Sequence, residues 1–486
     1  MDQQNASMTT VSGEDITSAQ LAYGSKVVAV EPGGVEAIPL RERHGRPRQL
    51  LWTWSSPNME FATVAVGILS VLAFGLTFWQ AVAAIVLGTA LGSVSLGVLS
   101  TWGPKDGLAQ MVLSRTAFGY RGNILPAGLN ALTAGIGWFA VNSISGALAL
   151  SALTTLPGGL CLVIVVAAQL VIAFFGHNLV HAFERYAFPV LAIIFVVAAV
   201  IVLTQANPGM PAFTENEPPT IGGFLITAGA AFGYAAGWNP YSSDYTRYLP
   251  PDTKRLPVAL FAGIGCFVSC CLLEIAGAAV VTAGQTEVAP SSFTDLLPTV
   301  IGKATLLAVC LGAVAANVLN VYSGAMSFMA LGFRVPLSRA RAIVAVVFGL
   351  IGLVVAWFGL QNAGEDYEAF LLVIAYWIAP WLGVVYVDRF LRRGQAHGLI
   401  AQNRRHGNAA GPIAMGVGLV VSVVLFSNQA KYVGPVPKAL PNAGDLTAVV
   451  GFVLAGVLYA VLYRVFRQPV GPAPAGETVP ASPLTR

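Results

Sequence analysis

The sequence predicts an all-α integral membrane protein in which twelve helices cross the bilayer. Three observations support this fold class. The chain is 56% hydrophobic and 10% charged, and its mean hydropathy is +0.72, whereas soluble domains are about 25% charged. About a dozen apolar stretches approach or exceed the roughly 20 residues that a hydrocarbon core requires. All but three of the 26 Lys and Arg residues fall in alternate gaps between these stretches, the exceptions being Lys303, Lys431 and Lys438.

The predicted spans follow from the apolar stretches, because an unpaired backbone amide in hydrocarbon is costly and each stretch must therefore be helical. In chain order they cover residues 51–75, 78–100, 123–153, 159–176, 186–204, 221–241, 257–282, 300–332, 340–360, 367–387, 411–427 and 445–466.

The charge pattern predicts the orientation and the domain organisation. Basic loops remain in the cytoplasm, and an even number of spans places both ends on that side. We expect a multi-pass protein of the cell membrane, surrounded by lipid. It has a cytoplasmic tail at 1–49, one transmembrane domain at 50–467 and a disordered cytoplasmic tail at 468–486. The net charge of +4 is what such loops require, so no nucleic-acid partner is predicted.

Two spans contain residues that a continuous membrane helix would avoid. Span one contains WSSPNME (54–60), and span six contains GYAAGWNP (233–240). Their separation of five helices predicts an inverted repeat of five plus five helices, with spans eleven and twelve outside the repeat. Paired breaks indicate a transport site, because unwound backbone at this depth must line a cavity or be buried in protein. The alternative is that Pro and Gly merely kink two helices.

Amide side chains near these breaks could recognise a polar planar ligand. Trp138 and Asn142 in span three are four residues apart and share a helix face, and span eight contains Asn317 and Asn320. A carboxamide can read an edge where a donor and an acceptor lie side by side, as in nucleobases and cyclic ureides. Asn58 in the first break joins these candidates. The alternative is that these residues only link neighbouring helices.

The aromatic and acidic side chains predict a neutral ligand and a coupled ion. Trp138, with Trp238 or Tyr234 opposite it, could stack on a planar ring. Strongly charged side chains are otherwise scarce in the spans, so Glu60 and Glu274 are candidates for a coupling proton. Otherwise, Glu60 lies at a hydrated break and Glu274 is paired inside the bundle.

Asp244, with Arg247 three residues later, follows the second break at the predicted cytoplasmic rim. The pair could form part of a gate or be a simple helix-end charge pair. No nucleotide-binding loop, nucleophile motif or zinc motif occurs, so we predict no enzymatic activity, no cofactor and no metal site.

Several motifs resemble those of the purine and cytosine permeases, which belong to the first nucleobase:cation symporter family. They are GPKDGLAQMVLSRTAFG (103–119), GYAAGWNPYSSDYTRYLP (233–250), ANVLNVYSGAM (316–326) and YWIAPWLGVVYVDRFLRR (376–393). The resemblance extends from about residue 51 to 467. It implies a leucine-transporter-type fold with alternating access around a central site. The first motif is also predicted to form an amphipathic connector along the inner membrane face.

The resemblance also implies roles for individual residues. Trp138 and Asn142 would contact the base, Asn320 would do so from helix eight, and Trp238 would stack from the broken sixth helix. Sodium-coupled members carry hydroxyls on helix eight where this chain has Val314 and Ala315. The predicted coupling ion is therefore a proton, with sodium as the alternative.

The predicted function is import of a neutral nucleobase, cytosine or a purine, by cation symport. The same fold could instead carry allantoin, uracil, a nucleoside or a vitamin such as thiamine or pyridoxine. A channel or a membrane-bound sensor would be a different class of protein, but neither explains the paired breaks. The sequence gives no prediction of oligomeric state.

Overall fold

The computed structural model describes residues 34–175, 177–211, 221–332, 337–360, 363–429 and 431–466. Most of these residues are helical, as the sequence predicts. The described chain also contains a short hairpin, in which β1 (Asn428–Gln429) pairs antiparallel with β2 (Tyr432–Val433). Most of the two predicted tails lies outside the described residues, so their boundaries remain predictions.

The α-helices of the first half are α1 Gln49–Ser55, α2 Phe61–Leu72, α3 Phe78–Ser100, α4 Gly103–Asp106, α5 Gln110–Leu113, α6 Arg115–Gly122, α7 Ile124–Leu132, α8 Phe139–Thr154, α9 Gly158–Phe175, α10 His177–Gln205, α11 Ile221–Ala236 and α12 Ser242–Thr246. Those of the second half are α13 Arg255–Thr282, α14 Pro290–Thr294, α15 Thr299–Ala330, α16 Leu337–Gly359, α17 Ala363–Leu391, α18 His397–Gln402, α19 Ala410–Phe426, α20 Pro435–Ala439 and α21 Thr447–Val465. Short 3₁₀ segments lie at Leu40–Glu42, Ser56–Asn58, Asn239–Tyr241 and Pro441–Ala443, and a π-helical segment lies at Thr133–Trp138.

Seven helical segments of the described chain are long and apolar enough to cross a membrane: Phe78–Asp106, Ile124–Thr154, Ile221–Thr246, Arg255–Thr282, Thr299–Ala330, Tyr367–Leu391 and Thr447–Val465. Five shorter apolar helices lie at Phe61–Leu72, Gly158–Val171, Pro189–Gln205, Val346–Gly359 and Ala410–Phe426. Together they are consistent with the twelve predicted spans. Large apolar side chains are exposed on their outer sides, as lipid contact requires.

The first predicted break is present between α1 and α2. The chain leaves the α-helix at Ser55, makes a 3₁₀ turn over Ser56–Asn58 and is extended at Glu60, with φ −155° and ψ 174°. Pro57 has no backbone N–H with which to continue the helical ladder. The new helix α2 begins with its N-terminus capped, because Glu60 Oε2 accepts a hydrogen bond from the Ala62 amide at 2.8 Å.

The second predicted break is present between α11 and α12. The helix ends at Ala236, the chain turns at Gly237 and Trp238, and a 3₁₀ turn at Asn239–Tyr241 leads into α12. Pro240 at the start of this turn again removes a backbone donor. Both interruptions are therefore changes of backbone conformation, and the alternative of two merely kinked helices is excluded.

Helix α15 runs through the centre of the bundle and is buried along most of its length. It packs directly on the first break at Gly312. A Cβ atom at this position would lie 2.1 Å from the Met59 carbonyl oxygen and 2.7 Å from Glu60 Cβ. Only glycine allows the two backbones to approach so closely, so Gly312 fixes the distance between α15 and the break.

Both ends of the described chain lie on one face of the bundle, which we call the terminal face. Arg43, near the start, donates from Nη1 to the Pro104 carbonyl of α4 at 2.7 Å. Arg389, at the end of α17, forms an ion pair with Asp106 of the same short helix. The last helix, α21, packs on α17, and its Tyr459 donates to Asp388 at 2.5 Å.

The segment 103–119 differs from its prediction as an amphipathic surface connector. It folds into α4, α5 and the start of α6, and residues 107–119 are buried. The reason is that α12, α15 and α17 pack on it and residues 34–48 cover its start. The Ile38 amide, for example, donates to the Gly107 carbonyl at 3.0 Å.

Candidate functional site

The two helix breaks contact each other through Trp238 and Asn58. Trp238 Nε1 donates to Asn58 Oδ1 at 2.8 Å. Asn58 Nδ2 donates in turn to the Trp54 carbonyl at 2.6 Å and to Ser269 Oγ at 3.2 Å. Asn58 is fully buried, and both ends of its amide are engaged within the protein. In this arrangement Asn58 orients the Trp238 indole, and its predicted contact with substrate stays a prediction.

Trp138 approaches the second break from span three. Its ring packs edge-on against Tyr234 and Phe370, with centroids 5.4 Å and 5.1 Å away. A Cβ atom on Gly237 would lie 3.2 Å from Trp138 Nε1, and Gly237 directly precedes Trp238. Both indoles therefore reach the same unwound segment, where each is 7% exposed.

The three predicted amides of spans three and eight form one hydrogen-bonded network. Asn317 Oδ1 accepts from Asn142 Nδ2 at 3.0 Å and from Asn320 Nδ2 at 3.3 Å. Asn317 Nδ2 donates to the Phe139 carbonyl at 2.8 Å and to Ser143 Oγ at 3.1 Å. Asn317 is therefore saturated and holds its two neighbours in place.

Asn142 and Asn320 retain free hydrogen-bonding capacity. Asn142 Oδ1 is buried and has no hydrogen-bond partner within the described structure. Leaving such an acceptor unpaired costs about 1–3 kcal/mol, which a donor on a ligand would offset. Asn320 Oδ1 accepts from Tyr241 OH at 3.1 Å, and only one of its two amide hydrogens is used by Asn317. An acceptor and a donor are thus available on neighbouring side chains.

Glu60 lies beside this site and joins three spans. Its Oε2 accepts from Ser145 Oγ of span three at 3.2 Å, and its Oε1 accepts from Tyr234 OH of span six at 3.3 Å. Thr63 Oγ1 lies 2.5 Å from Tyr234 OH and donates to the Asn58 carbonyl. The carboxyl group is fully buried.

Glu274 is fully buried in a separate place, between α13, α3 and α2. Its Oε2 accepts from Thr89 Oγ1 at 2.6 Å, and its Oε1 has no hydrogen-bond partner among the described residues. Its backbone is in close contact with α2, because a Cβ on Gly67 would lie 1.7 Å from the Glu274 carbonyl oxygen. The structure does not bring Glu274 together with the amide network.

Asp244 and Arg247 lie on the terminal side of the site. Asp244 Oδ1 accepts from the Gln110 amide at 2.8 Å and so ties α12 to α5. Arg247 is fully buried and donates to the Gly34 carbonyl at 2.9 Å and to Tyr322 OH at 3.0 Å. The N-terminal segment (residues 34–48) is thereby attached to the second break and to α15, and it covers this side of the bundle.

A cavity of about 480 Å³ opens on the face opposite the terminal face. It borders Gly137 next to Trp138, and it borders Ser145 next to Glu60. Its lining is mostly apolar and aromatic, and no charged side chain of the described chain contributes. Its remaining lining residues are Phe61, Ala62, Ala65, Ala140, Val141, Ile144, Leu148, Val288, Val355, Phe358, Gly359, Tyr367 and Phe370.

Some residues of this site were missed by the sequence interpretation. Ser145 follows Asn142 by three residues and Trp138 by seven, so helical spacing alone could have indicated it. Phe370 and Tyr241 gave no signal, since aromatic residues are common throughout the spans. Thr63 acts through a contact between two different spans, which no local pattern shows.

The comparisons with known proteins identify the family. The sequence model of a family described as permeases for cytosine/purines, uracil, thiamine and allantoin matches residues 37–451. The chain belongs to this family. Its relatives include the permease YxlA of Bacillus subtilis, 29% identical over 90% of this chain and 96% of the relative. Another is the purine-cytosine permease fcyB of Emericella nidulans, 28% identical over 94% of each chain.

Solved structures show the same fold. Mhp1, a nucleobase-cation-symport-1 family transporter in a closed conformation with bromovinylhydantoin bound, superposes with a TM-score of 0.71 at 23% identity, over 90% of this chain and 95% of its own. The predicted all-α leucine-transporter-type fold is confirmed. The chain is a multi-pass membrane permease and, as its family membership confirms, not an enzyme.

Proposed function

We propose that this permease imports a neutral nucleobase, cytosine or a purine, by proton symport with alternating access. The observation that carries the proposal is the pair of uncommitted amide groups on Asn142 and Asn320, next to two indoles at an unwound helix. A nucleobase has a flat face for the indoles and an edge of alternating donors and acceptors for the amides.

The charge of the surroundings supports a neutral cargo. Within the described chain, no Lys, Arg, Asp or Glu lines the cavity that borders Gly137 and Ser145 beside the site. Desolvating a charged ligand there would be costly without a partner of opposite charge, whereas a neutral ring loses little. The hydroxyl of Ser145 is one of few polar groups along this path.

The proton is proposed to bind Glu60. This carboxyl group contacts span three through Ser145 and span six through Tyr234, so its protonation state affects two elements next to the substrate at once. Sodium would need oxygen ligands, and helix α15 presents the apolar Val314 and Ala315 where hydroxyls would serve.

The terminal face is proposed to be cytoplasmic, in the plasma membrane. The cavity of about 480 Å³ on the opposite face would then be the extracellular entrance. The N-terminal segment, with Arg247 and Asp244 beneath it, would then form the inner closure. Rocking of one repeat against the other would open this closure and close the entrance.

Uptake by purified protein in liposomes tests the proposal. Labelled cytosine, adenine, guanine and hypoxanthine are offered under an inward proton gradient, or under an inward sodium gradient at equal pH. We expect accumulation of at least one of these bases, driven by the proton gradient alone. Accumulation that demands sodium and ignores pH would refute the coupling, and transport of none of the bases would refute the cargo.

The family description also names uracil, thiamine and allantoin, so these are the alternative cargoes, together with nucleosides and pyridoxine. Competition of labelled cytosine uptake by an excess of each compound separates them. A compound that inhibits labelled cytosine uptake at about a tenfold lower concentration than cytosine or any purine would replace them as the proposed cargo.

A further inference from the structure

A second cavity, of about 460 Å³, lies on the terminal face where α3, α13 and α17 end or begin. Its wall carries Lys105, Arg255, Arg389 and Arg393. Four cations around one cleft are far more than the transport site contains, and the proposed function uses none of them.

Most of this positive charge is uncompensated. Arg389 forms an ion pair with Asp106 at 3.4 Å and stacks over the Trp102 ring at 4.8 Å. Lys105, Arg255 and Arg393 are exposed, and none of them has an acidic partner within 4 Å in the described chain. The cleft is therefore suited to an anion.

A buried polar side chain also points to a ligand in this cleft. His397 lines it and is 4% exposed. Its Nδ1 lies 2.9 Å from the Gln395 carbonyl oxygen, so this nitrogen is the donor, and Nε2 has no hydrogen-bond partner in the described structure. Nε2 of the neutral ring is therefore an acceptor, which a hydroxyl group of a lipid headgroup can satisfy and a phosphate oxygen cannot. Next to it, Tyr386 is fixed by a 2.6 Å hydrogen bond with Ser95, so the wall is ordered.

An apolar strip leads from the lipid-facing surface into the same cleft. Leu91, Val94 and Val98 of α3 follow one another at helical spacing and are 58%, 66% and 42% exposed. Val98 is itself part of the cavity wall, as is Phe390, which is 60% exposed. A free anion would need no such strip, but acyl chains would.

We propose that this cleft is a binding site for an anionic phospholipid. The headgroup phosphate contacts Lys105, Arg255 and Arg393, and an acyl chain lies along Leu91, Val94 and Val98. Basic pockets between membrane helices at the cytoplasmic surface bind headgroups of this kind. The site is independent of which cargo the permease carries.

The same face supplies a matched control. Arg121, Arg404 and Arg405 are also exposed basic residues of the terminal face, but they do not line this cavity. Any general attraction between a basic face and anionic lipid would depend on both sets equally. Binding at a specific site in the cleft depends only on Lys105, Arg255 and Arg393.

The test measures lipid binding by purified full-length protein in detergent, using native mass spectrometry and thermal shift. Dioleoyl phosphatidylglycerol, dioleoyl phosphatidylcholine and inorganic phosphate are each titrated. We expect saturable binding of phosphatidylglycerol, and neither of the other two should compete with it at equal concentration. Equal binding of phosphatidylcholine, or displacement of the lipid by equimolar phosphate, would overturn the proposal.

The triple variant Lys105→Gln, Arg255→Gln, Arg393→Gln removes three cations from the cleft, each worth about fivefold in affinity. We expect phosphatidylglycerol binding to weaken about 100-fold, while Arg121→Gln, Arg404→Gln, Arg405→Gln changes it by less than about threefold. Should the cleft variant fail to fold, the single variant Arg393→Gln, expected to lose about fivefold, takes its place. An equal loss of phosphatidylglycerol affinity in the two triple variants, or no loss in the cleft variant, would refute the site.

Discussion

Asn142 and Asn317 are hydrogen-bonded to each other but differ in how fully the protein satisfies their polar atoms. Asn317 uses both of its polar atoms within the protein, whereas Asn142 buries an acceptor that the protein leaves unpaired. An unsatisfied acceptor lowers stability, and such costs are tolerated where they serve function. The sequence could not separate the two residues, because both are amides in apolar helices.

Replacing Asn142 by Leu should therefore separate transport from stability. The variant loses the acceptor for the ligand, so uptake efficiency should fall about 10- to 100-fold, while the unpaired buried atom also disappears. We expect an unchanged or higher melting temperature. The measurements are initial uptake rates in liposomes and a thermal unfolding scan of the same preparation.

Asn317→Leu is the matched control, because it removes the central acceptor and leaves the Asn142 and Asn320 donors unpaired. We expect a free energy of unfolding lower by about 1–3 kcal/mol. A reversed result, with Asn142→Leu destabilised and Asn317→Leu stable but unable to bind substrate, would assign the recognition role to Asn317.

Glu60 and Glu274 are both buried carboxyl groups, but only Glu60 lies next to the proposed substrate site. Glu60→Gln keeps an oxygen that can accept from the Ala62 amide, and the side chain can no longer exchange a proton. We expect this variant to exchange labelled for unlabelled substrate at a normal rate and to lose accumulation driven by a proton gradient. Counterflow and gradient-driven uptake measure the two properties separately.

Glu274→Gln serves as the comparison, since its carboxyl contacts only Thr89 among the hydrogen bonds described. It should retain proton-driven accumulation. If Glu274→Gln loses coupling while Glu60→Gln keeps it, the proton site has been assigned to the wrong carboxyl group.

Among the helices, the contact between α15 and the first break depends on a missing side chain. Gly312→Ala would place Cβ 2.1 Å from the Met59 carbonyl oxygen, which is backbone and cannot rotate away. Overpacking of this kind costs about 1–3 kcal/mol, and the break would also be displaced. We expect lower thermal stability and a loss of substrate affinity, measured by unfolding and by ligand-induced thermal shift.

Gly416→Ala in α19 is the corresponding control, because a Cβ there meets no atom within 4 Å. Alanine favours a helix by about 0.5–1 kcal/mol over glycine, so stability should stay the same or rise. Equal behaviour of the two variants would show that the close approach at Gly312 is not required.

The sequence predicted the fold best at residues that do not fit an apolar helix. Pro57, Pro240 and Gly237 are unusual inside apolar spans, and both breaks were located from them. The π-helical segment Thr133–Trp138 was not predicted, because its residues fit an ordinary helix equally well. The position of the N-terminal segment was also not predicted, since its contacts with Gly107 and Pro104 depend on backbone atoms.

At the scale of the whole molecule, one side of the bundle has an open cavity beside the site and the other side is covered. One cavity opens on the face opposite the termini and borders Gly137 and Ser145, next to Trp138 and Glu60. The N-terminal segment, Arg43 and Arg247 cover the terminal side. Alternating access requires such an asymmetry, because a site open to both sides would let the coupling gradient dissipate. The inverted repeat explains how the asymmetry can reverse, since the two halves can exchange conformations.

Cysteine labelling tests this arrangement and the orientation together. The five native cysteines are buried, so a cysteine introduced in place of Val141, which lines the cavity, or of the exposed Arg404 should dominate labelling. With a membrane-impermeant maleimide, we expect Val141→Cys to react in intact cells and to be protected by substrate. Arg404→Cys should react only after the cells are opened. The opposite pattern would place the termini outside, and a Val141→Cys that reacts from neither side would exclude this cavity as the entrance.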